Sequence, residues 1–305
     1  RVQKYIMGAQ GNVWTEYILT SQQVEYMAMP RMAALAEVVW SPKKKRDYRN
    51  FQQRLVQHFK VLDQMKVNYS KALYEIQTIV KPLPAWNGIL FALSSPFGAQ
   101  GIRYTLDGSE PQENSLRFTA PINITKNATV RFAYVEDGTP RGNTIEQQFV
   151  ITPSTGKNIF LKTPPHENYY NSGAFTLVDG IRGDFHRFGK DWLGFWGPNM
   201  EAIIDLKQIR NISNVTLDVY NSEVSWIYFP QSIEVFVSND SINFTSVANV
   251  TIQDTVQGGK VIDIDLGQQT ARYVKVIAEN AGKIPEGKPG SGNNAWLFVD
   301  EIMVK

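Results

Sequence analysis

A tryptophan and a glutamate lie two residues apart near the start of the chain, in the run GAQGNVWTEYI at residues 8–18. An indole offers an apolar face on which a sugar ring stacks, and a carboxylate accepts hydrogen bonds from sugar hydroxyls. Trp14 and Glu16 therefore favour a sugar-binding pocket. The alternative is a core tryptophan beside a solvated glutamate, which is the commoner origin of an isolated W-x-E pattern.

The residues around this pair predict the elements that position it. Tyr5, Ile6 and Met7 form a short apolar strand pattern, and Gly8 and Gly11 permit a tight turn after it. We therefore expect the tryptophan and the glutamate on a loop at the end of a strand.

Helical patterns follow this loop. Thr20 with Gln23 predicts a capping box, and Pro30 interrupts the helix that begins there. A second helix is predicted by apolar residues that step by three and four positions, namely Tyr48, Phe51, Leu55, Phe59, Leu62 and Met65. Its apolar face requires a neighbour.

Residues 1–71 resemble the end of the catalytic barrel of glycoside hydrolase family 20, the β-N-acetylhexosaminidases. The resemblance rests on GAQGNVWTEYI, on EYMAMPRMAALAEVVWS at residues 25–41 and on the amphipathic stretch at residues 47–66. It implies the C-terminal piece of a (β/α)8 barrel, with the rest of the barrel as the neighbour of the helices. It also implies that Trp14 stacks on a terminal N-acetylhexosamine and that Glu16 binds its hydroxyls.

The family's reaction is substrate-assisted retention, in which the 2-acetamido oxygen attacks the anomeric carbon. An Asp orients the acetamido group and an adjacent Glu protonates the leaving oxygen. In the family this pair lies well upstream of the last barrel strand. The only adjacent Asp-Glu here is Asp300 with Glu301, at the opposite end of the chain. The resemblance therefore implies no catalytic residue on this chain, and we expect the chain alone to be inactive.

Residues 72–153 change to a period-two pattern with turns, which predicts a small β-sandwich. The runs GIRYTLDGSEP and PINITKNATVRFAYVEDG resemble the sandwich that follows the hexosaminidase barrel, where its role is to brace. Asp107 and Glu110 are a possible carboxylate pair, but the Asp107-Gly108 turn explains the aspartate without catalysis.

Residues 154–305 predict a sandwich or barrel of short antiparallel strands, at residues 202–206, 215–220, 232–238, 260–266, 273–278 and 296–304. LVDGIRGD, EAIIDL, IEVFVSNDSINF, ARYVKVIAEN and WLFVDEIMV occur in that order. Together they resemble a discoidin (factor 5/8 C-type) domain, the fold of family-32 carbohydrate-binding modules. The predicted fold class is thus a mainly β, multi-domain chain: the helical tail of a TIM barrel, a small sandwich and a discoidin-like sandwich.

The discoidin resemblance implies one structural calcium, and we expect no cofactor for catalysis. Calcium takes about six to eight oxygen ligands, which loop carbonyls and carboxylates supply. The alternative is an Asp-Gly turn and an edge carboxylate without an ion. The implied ligands are the carbonyls of Thr176 and Ile181 and the side chains of Asp179, Asp184, Asp300 and Glu301, with Asp184 where the family usually has Thr.

Sugar recognition in such modules lies on loops at one end of the sandwich. The candidates combine stacking surfaces with hydrogen-bond donors, and they are His186, Arg187, Trp192, Trp226 and Tyr228. Since a Trp in a small sandwich is more often core than platform, we also expect at least two of Trp196, Trp226 and Trp296 to be buried.

Composition narrows the possible partners and location. Lys and Arg total 31 against 29 Asp and Glu, so the net charge of +2 gives no case for nucleic acid. No apolar run approaches a membrane span. The absence of cysteine in a β-rich chain favours a bacterial periplasmic, cell-surface or secreted protein.

Two function classes remain. One is the C-terminal portion of a secreted bacterial β-N-acetylhexosaminidase that removes terminal β-linked GlcNAc or GalNAc and carries an accessory carbohydrate-binding domain. The other is a stand-alone, non-catalytic glycan-binding or adhesion module.

Overall fold

The computed structural model describes residue 5 and residues 7–189, 191–253 and 256–305. Helices α1 (Ser21–Ala28), α2 (Arg31–Trp40) and α3 (Tyr48–Gln64) come first, and two β-sandwiches follow. Within the described residues no strand precedes Gln77, so the strand expected at residues 5–7 is wrong for Tyr5 and Met7, which are exposed. Ile6 lies outside the described residues. A barrel strand is held by hydrogen bonds to neighbouring strands, and in the described part of the chain no strand pairs with this segment.

Local signals set the ends of the first two helices. The Thr20 hydroxyl accepts a hydrogen bond from the Gln23 N–H at 3.3 Å, and the Gln23 side chain accepts from the Thr20 N–H at 3.2 Å. This confirms the predicted capping box. α1 ends at Ala28 and α2 begins at Arg31, so Pro30 separates the two helices as expected.

The apolar face of α3 packs on the middle sandwich. Leu55, Phe59 and Leu62 are buried in the same core as that sandwich. The Phe59 ring stacks on Tyr69 at 4.4 Å between centroids and lies 5.8 Å from Tyr74. The expectation that the barrel covers this face is therefore wrong. Residues 69–76 lead from α3 into the first sandwich strand, so the short connection folds the helix back onto the sandwich.

The middle sandwich contains two small antiparallel sheets. One has the order β1-β2-β5, and the other has the order β4-β3-β6-β7, with β8 also paired to β6. Phe91 lies in the core between Phe132 and Phe149, edge-on to both at 5.7 and 5.0 Å. The strands are β1 (Gln77–Pro82), β2 (Ile89–Ser94), β3 (Ile102–Thr105), β4 (Leu116–Arg117), β5 (Ile122–Ile124), β6 (Ala128–Glu136), β7 (Thr139–Pro140) and β8 (Ile145–Phe149).

The carboxylates of the middle sandwich have structural partners. Asp107 accepts hydrogen bonds from the hydroxyl and the N–H of Ser109 at 2.6 and 3.0 Å, and these bonds lower the pKa of Asp107. Glu110 pairs with Arg131 at 2.6 Å. Both side chains belong to the turn and its neighbouring strand, as predicted.

The C-terminal sandwich is a seven-stranded assembly with the order β10-β15-β11-β14-β12-β13, and β9 pairs with β11. The segments predicted at residues 202–206 and 215–220 join into one strand, as do those at 260–266 and 273–278. Register shifts after Asp205 and Ile212 interrupt the alternation inside the long pair, because a bulge moves side chains to the other face. The strands are β9 (Asn158–Leu161), β10 (Leu193–Trp196), β11 (Met200–Asn221), β12 (Ser232–Ser238), β13 (Thr245–Thr251), β14 (Gly258–Ala278) and β15 (Trp296–Val304).

The linker between the two sandwiches is held by backbone hydrogen bonds and a close backbone contact. The Gly156 N–H donates to the Val178 carbonyl at 2.7 Å, and the Val150 N–H donates to the Gly180 carbonyl at 2.9 Å. Gly156 has a φ of +72°, and a Cβ there would lie 2.1 Å from the Gly88 carbonyl oxygen, so glycine is required. These contacts hold the loop at residues 173–184 against the middle sandwich. None of the helices in the described ranges has the length and apolar character needed to cross a membrane.

Candidate functional sites

Trp14 and Glu16 lie on an irregular segment before α1, and both side chains are exposed. Trp14 keeps 74% of its surface accessible. The segment runs along α2, since a Cβ on Gly11 would lie 3.5 Å from Met32 and 3.6 Å from Leu35. The structure therefore brings the predicted pair to the surface beside α2, and neither residue lines the cavities of about 570, 470 and 330 Å³ found in the described residues.

An apolar surface accompanies this segment on α2. We define the α2 face as Met32, Val38, Val39 and Trp40, all of which are exposed, Trp40 by 87%. Met32 and Trp40 also line a cavity of about 570 Å³ between α2 and α3, with Phe51 on its other side. The α2 face is thus an apolar surface that the described residues leave exposed.

Three buried carboxylates form a cluster where the loop at residues 173–184 meets β15. Asp179 is 7% exposed, and Asp300 and Glu301 are fully buried. The Gly183 N–H donates to Asp300 Oδ2 at 2.5 Å, and the Gly180 N–H donates to Glu301 Oε1 at 3.1 Å. Asp300 Oδ1 and Glu301 Oε2 are buried and have no hydrogen-bond partner within the described residues. Asp300 and Glu301 therefore each have one buried oxygen without a hydrogen-bond partner among the described residues.

Burial controls the charge of this cluster. It raises the pKa of Asp179 to about 8. It raises the pKa of Asp300 and of Glu301 well above their ordinary values, and repulsion from Asp179 adds to both. Arg182 is bound to Asp218 through two hydrogen bonds of 2.7 and 3.0 Å. No ion pair of the described chain involves Asp179, Asp300 or Glu301, and burial favours the protonated form of each carboxyl group.

The cluster opens into a pocket of about 330 Å³ between the two sandwiches. Thr176, Asp179, Ile181 and Asp300 line it together. In the described ranges no three acidic or histidine side chains already have a metal-binding arrangement. Loop carbonyls would have to complete the oxygen set.

Asp184 does not join these carboxylates. Its side chain accepts hydrogen bonds from the His186 N–H at 2.8 Å and from Arg187 Nε at 2.9 Å, and it is partly exposed. This turn directs the carboxylate outward, so its prediction as a metal ligand is wrong.

The predicted glycan-binding residues fall into separate environments. Trp192 is 1% exposed and packs edge-on to Tyr220 at 5.2 Å, so its assignment to a sugar pocket is wrong. It lies in the turn before β10 and fills the core behind it. His186 and Arg187 are exposed on the turn held by Asp184.

Trp226 and Tyr228 lie at another loop and are partly buried. A Cβ on Gly290 would lie 2.5 Å from the Trp226 indole, so the loop at residues 285–294 covers that ring. The Tyr228 N–H donates to the Trp296 carbonyl at 3.0 Å. These two residues shape the loop cluster and offer little open ring surface.

A group of aromatic side chains that the sequence analysis did not select lies at the start of β15. Trp196 and Trp296 are opposite each other on β10 and β15, with ring centroids 5.8 Å apart and planes 18° from parallel. His166 lies edge-on to both rings. The expected burial of two of Trp196, Trp226 and Trp296 is wrong, since Trp196 is 44% exposed and the others are partly exposed. The strand register that unites these rings could not be read from spacing.

Three family models match the chain in succession. The glycosyl hydrolase family 20 catalytic domain matches residues 1–43, the chitobiase/β-hexosaminidase C-terminal domain matches residues 88–146, and the F5/8 type C domain matches residues 164–299. This order confirms the predicted resemblance to the C-terminal part of a family 20 β-N-acetylhexosaminidase.

Relatives from bacteria share parts of the chain. A β-hexosaminidase of Porphyromonas gingivalis (strain ATCC BAA-308 / W83) is 33% identical over 138 residues, which are 44% of this chain and 17% of the relative. A β-N-acetylhexosaminidase of Cellulomonas fimi is 38% identical over 53 residues, which are 17% of this chain and 11% of the relative. The chain therefore spans less than a fifth of the length of either relative.

Solved structures similar to the chain are single modules. Chitosan-binding module 1 of a chitosanase/glucanase from Paenibacillus sp. IK-5 has a TM-score of 0.35 at 18% identity and covers 50% of this chain and 98% of its own. The C-terminal domain of a chitobiase from Bacteroides fragilis has a TM-score of 0.32 at 20% identity and covers 48% and 92%.

Proposed function

We propose that this chain is the C-terminal part of a bacterial β-N-acetylhexosaminidase that removes terminal β-linked GlcNAc or GalNAc by substrate-assisted retention. The consecutive match to the three family models carries the proposal. The first match includes α1 and α2, and in the described residues no sheet covers the α2 face. A (β/α)8 barrel packs each helix against its strands, so these helices have the character of a barrel segment.

In this proposal Trp14 supplies a stacking face for the terminal sugar, and Glu16 accepts hydrogen bonds from its hydroxyls. Both side chains are exposed on one short segment next to the α2 face. The remainder of the barrel would cover the α2 face. Burying Trp40 alone would contribute roughly 2 kcal/mol to that association.

The catalytic Asp and Glu would come from the remainder of the barrel. Asp300 and Glu301 cannot replace them, because both are fully buried in the C-terminal sandwich and their oxygens bind loop N–H groups. An acid catalyst must reach the glycosidic oxygen within hydrogen-bond distance. The chain alone should therefore be inactive.

Kinetics of the protein with a complete barrel test this assignment. Trp14→Ala and Glu16→Gln should each lower kcat/KM at least about 10-fold, which is about 1.4 kcal/mol of transition-state stabilisation. Trp86→Ala is the matched control, because Trp86 lies in the middle sandwich, 4.4 Å from Lys207 Nζ, and should leave the kinetics unchanged.

Wild-type kinetics in both pocket variants would show that the pocket assignment is wrong. Release of chromophore from an aryl N-acetylglucosaminide by the 305-residue chain alone would contradict its inactivity. A complete protein that binds glycans without any hydrolysis would favour the stand-alone binding module instead.

The C-terminal sandwich would serve as an accessory carbohydrate-binding domain, and the protein would act in the periplasm, at the cell surface or outside the cell. The match to the F5/8 type C domain and the bacterial relatives support this location and role. The partners would be glycans that end in N-acetylhexosamine.

A structural calcium would occupy the carboxylate cluster. The unpartnered oxygens of Asp300 and Glu301, together with buried Asp179, fit a hard cation that takes carboxylate and carbonyl oxygens. Thr176 and Ile181 lie on the same loop and would supply carbonyl oxygens. The ion would offset the buried negative charge and fix the loop, without a role in the reaction.

A further inference from the structure

Trp196 is both exposed and held in one orientation. It ends β10 directly opposite Trp296, the first residue of β15, and the two indoles are stacked. The Trp196 Nε1–H donates to the Asn294 carbonyl at 3.0 Å. One face of the ring is therefore covered by Trp296, and the hydrogen bond fixes its edge.

His166 and Tyr169 hold this pair from the side. The His166 ring is edge-on to Trp296 at 5.0 Å and to Trp196 at 6.4 Å, and Tyr169 is edge-on to Trp296 at 5.3 Å. The His166 N–H donates to the Gly194 carbonyl at 2.8 Å, which attaches this segment to β10. The rings are thus preorganised, so a ligand would bind without a large ordering cost.

Polar groups lie at the edge of the rings. His166 Nδ1 accepts a hydrogen bond from the Asn168 N–H at 3.2 Å, so the neutral imidazole carries its proton on Nε2, which can donate to a ligand. The Asn294 side chain lies beside Gly197, since a Cβ there would be 2.9 Å from Asn294 Nδ2. The His166 imidazole and the Asn294 amide therefore lie at the border of the apolar Trp196 and Trp296 rings.

This combination matches a neutral pyranose. A ring with mostly equatorial substituents presents C–H groups on its faces and hydroxyls at its edge, and an aromatic plate with donors at its border binds both parts. The five residues Trp196, Trp296, His166, Tyr169 and Asn294 themselves offer stacking faces and uncharged hydrogen-bonding groups, which are the contacts that a neutral sugar uses.

We propose that Trp196, braced by Trp296 and His166, is the platform on which the C-terminal sandwich binds a neutral β-linked oligosaccharide of GlcNAc type. The inference rests on the accessory binding role proposed above and names the residues that perform it. It places the sugar on Trp196 at the end of β10 rather than on His186, Arg187 and Trp192.

Titration of the 305-residue chain with N,N′,N″-triacetylchitotriose by calorimetry tests the platform. Trp196→Ala should weaken binding at least about 10-fold, because it removes the stacking face. Trp196→Phe should recover part of the affinity. Phe160→Ala is the control, since Phe160 is an exposed aromatic on β9 outside the group and should bind as the wild type does. Circular dichroism melting confirms that each variant is folded.

The possible results distinguish an error in the assignment of Trp196 from an error in the carbohydrate-binding role of the C-terminal sandwich. If the wild type binds and folded Trp196→Ala binds equally well, the platform is wrong while the accessory binding role stands. If the wild type binds only sulfated or carboxylated oligosaccharides, the neutral ligand class is wrong. If it binds no saccharide of a neutral and acidic panel at millimolar concentration, both the platform and the binding role are overturned.

Discussion

The hydroxyl of Ser154 donates a hydrogen bond to the carbonyl oxygen of Ile302 at 2.7 Å, which ties the linker between the two sandwiches to the last strand. The Ser154 hydroxyl oxygen in turn accepts a hydrogen bond from the Val304 N–H at 3.1 Å. Ser154 is fully buried. One side chain therefore completes the hydrogen bonding of β15 on its linker side and connects the two domains.

Ser154→Ala should lower the free energy of unfolding of the chain by about 1–3 kcal/mol, because a buried N–H and a buried carbonyl lose their partner. Urea unfolding followed by circular dichroism measures this change. Ser246→Ala is the control, since Ser246 is exposed and bonded only to Glu234, and its change should stay within about 0.5 kcal/mol. Equal stability of the two variants would contradict the role of Ser154.

Calcium at 100 times its dissociation constant should stabilise the C-terminal sandwich by about 2.7 kcal/mol, because it binds only the folded form. Thermal melts with calcium and with a chelator measure the shift in Tm. Asp300→Asn and Glu301→Gln should abolish the shift. In chelator, Asp300→Asn should melt no lower than the wild type, because it removes a buried carboxylate that has one unpaired oxygen.

Asp184→Asn tests whether Asp184 is a calcium ligand, as the family resemblance implies, or lies outside the site, as the structure shows. Asp184 is bound to His186 and Arg187 rather than to the cluster, so its variant should keep the full calcium shift. Loss of the shift in Asp184→Asn, with the shift retained in Asp300→Asn, would reverse the assignment of ligands.

Asp205 and Arg272 join β11 to β14 through two hydrogen bonds of 2.9 and 3.1 Å. We expect this pair to stabilise the fold at neutral pH and to lose its effect in acid. The hydrogen bond from Arg272 lowers the pKa of Asp205 to about 2. A lowered folded pKa means that the stabilisation is complete above the unfolded pKa near 3.8 and is lost as pH falls through about 2.

Asp205→Asn should therefore cost about 1 kcal/mol at pH 7, a modest value because the pair is partly solvated. The difference from the wild type should shrink between about pH 4 and pH 2. Urea titrations at several pH values measure it, with Asp263→Asn on the exposed side of β14 as the control. A difference that stays constant down to pH 2 would contradict the linkage.

Sequence patterns predicted those elements that depend on neighbouring residues in the chain. The capping box at Thr20, the break at Pro30 and the bounds of β12 and β15 all follow from local geometry. The long strands β11 and β14 were predicted in pieces, because their bulges disturb the alternation that defines a strand pattern.

The candidate site was less predictable, because burial of a ring depends on where neighbouring strands end. Trp192 and Trp196 are four residues apart, yet Trp192 fills the core and Trp196 remains half exposed. Trp196 lies where β10 and β15 begin to separate, opposite Trp296. That pairing joins residues about 100 positions apart in sequence, which no local pattern encodes.

Asp300 and Glu301 lie beside the Asp179 loop, and the calcium-binding role that the family resemblance implies for them stays a prediction.

The α2 face provides a final test of the barrel proposal. Trp40 is 87% exposed and contributes little to the fold of the chain, so Trp40→Ser should change the free energy of unfolding of the 305-residue chain by less than about 0.5 kcal/mol. In a protein with a complete barrel the same change should cost about 3 kcal/mol or more, because Trp40 would then be buried against the strands. Phe59→Ala is the opposite control, since Phe59 is buried in the chain itself and should destabilise both proteins. Urea unfolding of both proteins, each with and without the two changes, gives the comparison. If Trp40→Ser has the same small effect in both, the barrel does not cover this face, and the helices are a surface element of the middle sandwich.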